Sequence, residues 1–402
     1  MTPAYVASLS DEPLPKFAGA LRIGILVPSS NTALEPELYS LGSQLEGVTL
    51  HFSRVPVTRI TLESSASAQF RSEAMISAGE LLCDAGVDVV VWGGTAGSWL
   101  GLEHDYRLVD KLQKSLDVPA TTTTLALLEA CRSFGITRVS LVTPYISAVN
   151  AEITACYESA GIAVVSEAHL GLTFNRAFGE VGPAEIIRLI ERAHTIDTEA
   201  VLVVCTNLRA TSLVPGLENS LSLPVFDSIG VTLLGAMRSL RAPMHLVNAG
   251  IVMAQGGLRA DLQLLSEHLL VGTGADRVTV RIDLAQFDIC VDLPVAEAVL
   301  PGVKRIGQDS SIDQRSLSTV QWLEKFRSSL IQDSFEAEPR PPAALQNIYG
   351  VKAQMLAPLA LAGTLVGWVS VHSLAERRWS VADQLALETA ATQALSHIVR
   401  IA

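Results

Sequence analysis

Between Val201 and Thr211 the chain reads VLVVCTNLRAT, an apolar run that delivers Cys205, Thr206 and Asn207 in succession. Such a run describes a buried strand whose end is polar. A buried cysteine is often only a compact apolar filler, so chemistry must come from its setting. A thiol with an ordinary pKa near ~8.5 is mostly protonated at neutral pH and can give its proton to a strongly basic carbon. Neutral hydroxyl and amide donors fixed beside it would hold a developing negative charge, each worth roughly 3 kcal/mol. Three other apolar runs end in groups of that kind. LRIGILVPSSN delivers Ser29, Ser30 and Asn31, VDVVVWGGTAG leads to Gly94, Thr95 and Ser98, and ITRVSLVTPY ends at Thr143 and Tyr145.

The elements that must position these groups alternate in type. The four runs read as fully buried parallel strands, and SEAMISAGELLCDAG and PAEIIRLIERAHTI between them carry helical spacing. That alternation predicts an α/β layered domain. The runs also fall into two ordered sets: LRIGILVPSSN with ITRVSLVTPYISAVN, VVVWGGTAG with VLVVCTNLRA, and VPATTTTLALLEAC with LPVFDSIGVTLLGAM. Residues 21 to about 245 therefore read as two duplicated Rossmann-like halves. Ligands of parallel sheets bind beyond the carboxyl ends of the strands, so the polar residues of both halves would meet around one cleft. In this alignment Gly94 stands where the second half has Cys205.

Composition narrows the partners. The 402 residues are 49% hydrophobic and carry a formal net charge of −12, which disfavours a nucleic-acid surface or a basic membrane patch. No stretch is long and apolar enough to cross a bilayer, and the N-terminus lacks the basic and apolar regions of a secretion signal, so a cytoplasmic protein is expected. Residues 1–20, with their prolines and small polar groups, read as a flexible arm. The five cysteines lack CxxC spacing and the eight histidines form no ligand motif, so neither a disulfide framework nor a metal is expected. Cys83 and Cys131 read as core, and Cys156 and Cys290 as structural. His104 and Asp105, in GLEHD, read as part of a solvated loop.

VPSSNTALEPE, VTPY and VVCTNLRAT resemble the maleate cis-trans isomerases and arylmalonate decarboxylases of the aspartate/glutamate racemase superfamily. The resemblance covers about residues 21–245 and implies two pseudo-symmetric lobes, no cofactor and a cleft for a small dicarboxylate. Racemases of this superfamily use one cysteine from each half, and maleate isomerases use the first-half cysteine as a nucleophile. Gly94 departs from both patterns. Arylmalonate decarboxylases keep only the second-half cysteine and have a Gly-Thr-Ser type turn in the first half, which GTAGS (Gly94 to Ser98) resembles. Carried over, Cys205 is the proton donor, and Thr95 and Tyr145 hold the carboxylate and the enediolate. Asn31 and Asn207 match carboxylate-binding asparagines of the isomerases, and Ser29, Gly94, Ser98 and Thr206 complete the substrate site. The expected activity is decarboxylation of a substituted malonate. The alternatives are a maleate-isomerase-like enzyme and a silent carboxylate-binding sensor.

After a linker over 246–261 the texture changes. DLQLLSEHLLVGTGADRVTVRIDL reads as helix, glycine turn and strand, QMLAPLALAGTLVGWVSVHS as a hairpin, and WSVADQLALETAATQALSHIV as a closing helix. Residues 262–402 thus resemble a GAF domain, which implies an α+β fold, a small-molecule ligand or a dimerising role, and a homo-oligomer.

Overall fold

The computed structural model describes residues 19–63, 68–307 and 313–400. The arm expected over 1–20 lies, up to residue 18, outside the described residues. In the first lobe β1 (Leu21–Pro28), β2 (Val48–Val55), β3 (Val89–Trp92) and β4 (Ala120–Thr122) form a parallel sheet in the order β2-β1-β3-β4. In the second, β5 (Arg138–Thr143), β6 (Ala163–His169), β7 (Ala200–Val203) and β8 (Val225–Asp227) repeat that order as β6-β5-β7-β8. All residues of β3 and β7 are buried, as strands covered by helices on both faces require. The two lobes share one continuous apolar core.

Two helices join the lobes. Thr123–Ser133 starts directly from β4, and Ser228–Ser239 directly from β8. Each has a capping side chain at the strand's last residue: Thr122 accepts from the Leu125 N–H, and Asp227 from the Gly230 N–H. The helices touch closely, because a Cβ on Gly235 would lie 2.8 Å from that of Ala126. A hydrogen bond of 2.7 Å between the hydroxyls of Thr123 and Thr232 pins the crossing.

The stretch expected as a linker is helical from Ile251 onward, within one 23-residue helix, Ile251–Thr273. Its first turns, with Val252 and Met253, belong to the two-lobe core, and from Leu258 its apolar residues belong to a second core. The passage between domains thus runs inside a rigid helix. It ends at Gly274, whose φ of 56° forms a left-handed cap.

The second domain holds β9 (Arg277–Ile282), β10 (Ala296–Val299), β11 (Leu330–Gln332), β12 (Ala353–Leu361) and β13 (Thr364–Ser373) in an antiparallel sheet ordered β10-β9-β13-β12-β11. The hairpin turn at Ala362 and Gly363 has φ values of 48° and 82°, as a tight right-twisted connection needs. One sheet face packs against Ile251–Thr273 and the closing helix Val381–Val399. Cys290, read as structural, is exposed and lies outside the named strands.

Asp227 gives the fold a pH signature. Its Oδ2 accepts from Thr211 Oγ1 at 2.7 Å and the Gly230 N–H at 3.0 Å, while Oδ1 is buried with no hydrogen-bond partner among the described residues. Burial pushes its carboxyl from 3.8 up to about 6. The folded state then holds this proton more tightly than the unfolded chain, so the contribution is fully present below pH 3.8 and lost as pH rises through about 6. Asp227→Asn keeps the cap and removes the buried charge. Urea unfolding is expected to find it more stable than wild type at pH 8, on the order of 2 kcal/mol, with the advantage vanishing near pH ~4. A variant less stable at pH 8 would contradict this reading.

Candidate active site

Cys205 lies two residues beyond the end of β7 and is 2% exposed. Its N–H donates to Ser228 Oγ at 3.1 Å, and that hydroxyl donates to the Val203 carbonyl at 2.6 Å. Ser228 opens the helix that β8 leads into, so the strand end and the helix start are stitched together under the thiol. The sulfur accepts the Asn207 N–H at 3.3 Å and lies within hydrogen-bonding reach of the Tyr145 hydroxyl. Burial dominates its ionisation and pushes the thiol from 9.0 up to about 11, against the lowering effect of Tyr145 and nearby backbone N–H groups. The buried thiol is therefore protonated across the physiological range. Tyr145 is itself held well above its ordinary value, first by burial, and its hydroxyl meets Thr95 Oγ1 at 3.1 Å. Thr95 from the first lobe, with Tyr145 and Cys205 from the second, thus form one hydrogen-bonded chain across the lobe boundary.

The remaining polar residues mostly clamp the lobes together. Asn31 accepts from the N–H groups of Ala33 and Leu34 at 2.9 Å each. Its amide donates to the Thr206 carbonyl at 3.1 Å and to Thr206 Oγ1 at 3.2 Å, so its two acceptor and two donor positions are used inside the protein. Thr206 Oγ1 donates to the Gly93 carbonyl at 2.9 Å. Asn207 Oδ1 accepts from the N–H groups of Thr32 and Ala33 at 2.9 and 3.1 Å, and its amide donates to the Asn175 carbonyl at 2.5 Å. Every one of these groups except Thr32 is buried.

The first-lobe position equivalent to Cys205 in the repeat is filled differently. A Cβ on Gly94 would meet the indole of Trp92 at 2.6 to 2.9 Å, so the large ring occupies the side-chain space that glycine leaves. In the second lobe the same two positions are Val203 and Cys205, two modest side chains in place of one large ring. Trp92 is fully buried, with Nε1 lacking a hydrogen-bond partner among the described residues. Edge-to-face contacts link Trp92, Phe70, Trp99, Tyr145 and Phe178 into an aromatic wall that runs up to the Tyr145 hydroxyl's own ring.

Two expected binding residues turn elsewhere. Ser29 is tied to the backbone of Val57, accepting its N–H at 3.1 Å, and Ser98 bonds Thr124 Oγ1 at 3.3 Å within the first lobe. His104 and Asp105, read as loop residues, belong to the helix Leu102–Leu116, and Asp105 is fully buried. The helix buries it because Thr122 Oγ1 donates to its Oδ2 at 2.5 Å and His104 Nδ1 lies 3.2 Å from Oδ1. Its carboxyl group fits only over a glycine, since a Cβ on Gly97 would fall 2.2 Å from Asp105 Cγ. The sequence reading missed Ser228, Asp227 and Trp92. The first two could have been found from the repeat, because Asp227-Ser228 aligns with the capping pair Thr122-Thr123. No cluster able to hold a metal ion occurs among the described residues.

Comparison with known proteins bears on the family and the fold. A family model described as arylmalonate decarboxylase matches residues 23–253. Maleate isomerase of Geobacillus stearothermophilus is 24% identical over 251 residues, covering 59% of this chain and 99% of its own. Arylmalonate decarboxylase of Bordetella bronchiseptica is 28% identical over 159 residues, 39% of this chain and 66% of its own. Among solved structures, a Nocardia farcinica maleate cis-trans isomerase mutant with a covalently bound succinylcysteine intermediate superposes with a TM-score of 0.55 at 22% identity, covering 59% of this chain and 99% of that one. A liganded arylmalonate decarboxylase, carrying a glycine-to-cysteine and a cysteine-to-serine exchange, gives a TM-score of 0.52 at 23% identity over 58% of this chain and 99% of that one. The family match spans more than half of the chain and coincides with its duplicated lobes, so the chain belongs to the arylmalonate decarboxylase (Amdase) family.

Proposed function

We propose that the two-lobe domain decarboxylates a small substituted malonate and that Cys205 protonates the enediolate that carbon dioxide leaves behind. The observation that carries this reading is the single thiol: Cys205 is buried, which favours its protonated form, and the equivalent position of the first lobe is a glycine covered by Trp92. One carboxylate binds at the hydroxyls of Thr95 and Tyr145. The second carboxylate faces the aromatic wall, where its charge is poorly solvated, and leaves as carbon dioxide with the bond electrons retained on the enediolate. The Cys205 proton then forms the new C–H bond, and the thiolate takes a proton from water before the next turnover. Asn31 and Thr206 act as positioning residues that keep the strand ends of the two lobes in register. Metal and cofactor have no part in this proposal.

Relatives that cover nearly their whole length are maleate isomerases, which favours a second reading in which maleate is the substrate. A sulfur that adds to a double bond must be a thiolate, and burial works against that form of Cys205. The decarboxylase reading is therefore preferred. For the second domain, the helix, the five-stranded antiparallel sheet and the closing helix support a GAF-like reading and a place for small-molecule control.

Proton NMR of wild type and Cys205→Ser with phenylmalonate, methylmalonate, maleate and aspartate tests the assignment. Loss of carbon dioxide from a malonate is expected, with kcat about 100-fold or more lower in Cys205→Ser and KM little changed. Fumarate formed from maleate would overturn the decarboxylase reading, and binding without turnover of any of the four would leave a sensor.

The occluded glycine generates its own prediction. Gly94→Cys alone is expected to lower stability by about 1–3 kcal/mol in urea unfolding, because Trp92 has to give way. Combining it with Trp92→Val, the pairing found in the second lobe, is expected to recover about 1 kcal/mol or more through coupling of adjacent sites. Additive losses would show that the indole does not occupy that space.

A further inference from the structure

A buried carboxyl group lies directly under the turn that carries Thr95. Asp105 is 0% exposed and fills the space that a Cβ on Gly97 would take, two residues after Thr95. Thr122 Oγ1 donates to its Oδ2 at 2.5 Å, and His104 Nδ1 lies 3.2 Å from its Oδ1. From the second lobe the thiol of Cys156 donates to the Gly97 carbonyl at 3.6 Å, so the turn is gripped on both sides. Of the two side chains bonded to Asp105, only His104 reaches solvent, with 28% of its side chain exposed.

The other ring nitrogen of His104, Nε2, lies 3.3 Å from the carbonyl of Phe70. Both nitrogens thus face oxygen acceptors, one a carboxylate and one a carbonyl. A neutral imidazole carries a single N–H, so the two contacts are both hydrogen bonds only in the imidazolium. The surroundings favour that form. The bond to Asp105 does most to raise His104 from 6.5, and the Phe70 carbonyl adds to it, against burial and Lys111. Lys111 is held by Ser72 Oγ at 2.9 Å on the facing helix Ser72–Cys83, and Glu103 beside His104 is paired with Arg107 at 2.8 Å. The Cys156 thiol faces Asp105 from the second lobe.

Phe70 precedes the cap residue Arg71 of that facing helix, so its carbonyl lies outside the helix's own hydrogen bonds. Its ring meets Trp92 at 6.4 Å and Trp99 at 5.8 Å, and Trp99 meets Tyr145 at 5.2 Å. His104 therefore joins the seat of the Thr95 turn to the backbone of the residue on which the aromatic wall begins.

We infer that His104, as an imidazolium, is a positioning residue for the aromatic wall, clasping Phe70 to the buried Asp105 and releasing Phe70 when it loses its proton. The clasp stands on geometry alone, and its effect on turnover rests on the decarboxylase reading. On deprotonation the one remaining N–H stays with Asp105, because hydrogen bonds to an ionised acceptor are the stronger ones. Nε2 and the Phe70 carbonyl are then left lone pair to lone pair. The folded protein holds the His104 proton more tightly than a free imidazole, so the clasp is present through neutral pH and lost as pH rises through a midpoint above 6.5. Cys205, raised to about 11, loses its proton later, so a fall in rate well below that pH does not come from the thiol.

The test uses the full chain labelled with 15N-histidine and 15N-tryptophan. The His104 ring signals are assigned by their loss in His104→Gln, and the Trp99 indole by its loss in Trp99→Phe. Near pH ~6 both His104 nitrogens are expected to carry a proton, and above the midpoint only Nδ1. The Trp99 indole signal is expected to move with the same midpoint in wild type and to stay in place over that range in His104→Gln. This arm uses no substrate, so its failure is distinct from failure of the decarboxylase reading. With phenylmalonate, wild-type kcat is expected to fall about threefold to tenfold through the midpoint with KM little changed, one hydrogen bond's worth. His104→Gln is expected to show the lower kcat on both sides and no step between them. A single ring N–H on His104 near pH ~6, a Trp99 titration that persists in His104→Gln, or an alkaline fall in kcat unchanged in that variant would each overturn the inference.

Discussion

The hydrogen bonds that cross between the two lobes at the strand ends are the constraint on which the site depends. Asn31, Thr206 and Asn207 each use their side chains to hold backbone of the opposite lobe. Removing one partner from such a buried set costs more than the bond itself, because the group left behind has lost its water as well. These contacts keep Cys205 dry, and dryness is the first cause of its raised pKa. A proton donor that stays protonated is thus a consequence of lobe closure, and no specific acid beside the sulfur is needed. Asp227, capping the helix under Cys205, adds a smaller effect in the same direction.

The duplication explains why the site is asymmetric without a change of architecture. Both lobes have the same strand order, the same strand-to-helix step at β4 and β8, and the same hydroxyl under the strand end, Thr123 donating to the Trp92 carbonyl and Ser228 to the Val203 carbonyl. What differs is how volume is divided between two neighbouring positions. The first lobe puts an indole beside glycine, and the second puts valine beside cysteine. Close packing leaves no room for a further side chain beside the indole, so the side that keeps Trp92 gives up the thiol.

Much of this was legible in the residues. The central strands β1, β3, β5 and β7 are near-continuous apolar runs, and their ordered motifs carried the repeat and with it the position of Cys205. Strands β2 and β6, at the sheet edges and partly exposed, lack such runs, and β4 and β8 are three residues long. The direction of a polar side chain was not legible. Asn31 and Ser98 follow strand ends as ligand-binding residues do, yet one clamps the opposite lobe and the other bonds Thr124, because choices between internal and ligand-facing partners depend on neighbours distant in the chain. Asp105 shows the same limit: nothing local in GLEHD announces that Gly97 leaves room to bury its carboxyl group. The second domain's hairpin and closing helix were plain, whereas the burial of its polar sheet face depends on a covering segment with no periodicity of its own.

A lone proton donor on one side of a planar intermediate has a stereochemical consequence that a site with a donor on each face does not share. The most direct measurement is the configuration and deuterium content of the product formed from methylphenylmalonate in deuterated buffer. A single enantiomer carrying one deuteron at the α carbon is what protonation by Cys205 predicts. A racemic product would contradict it, since the proton would then have reached the carbon from both faces.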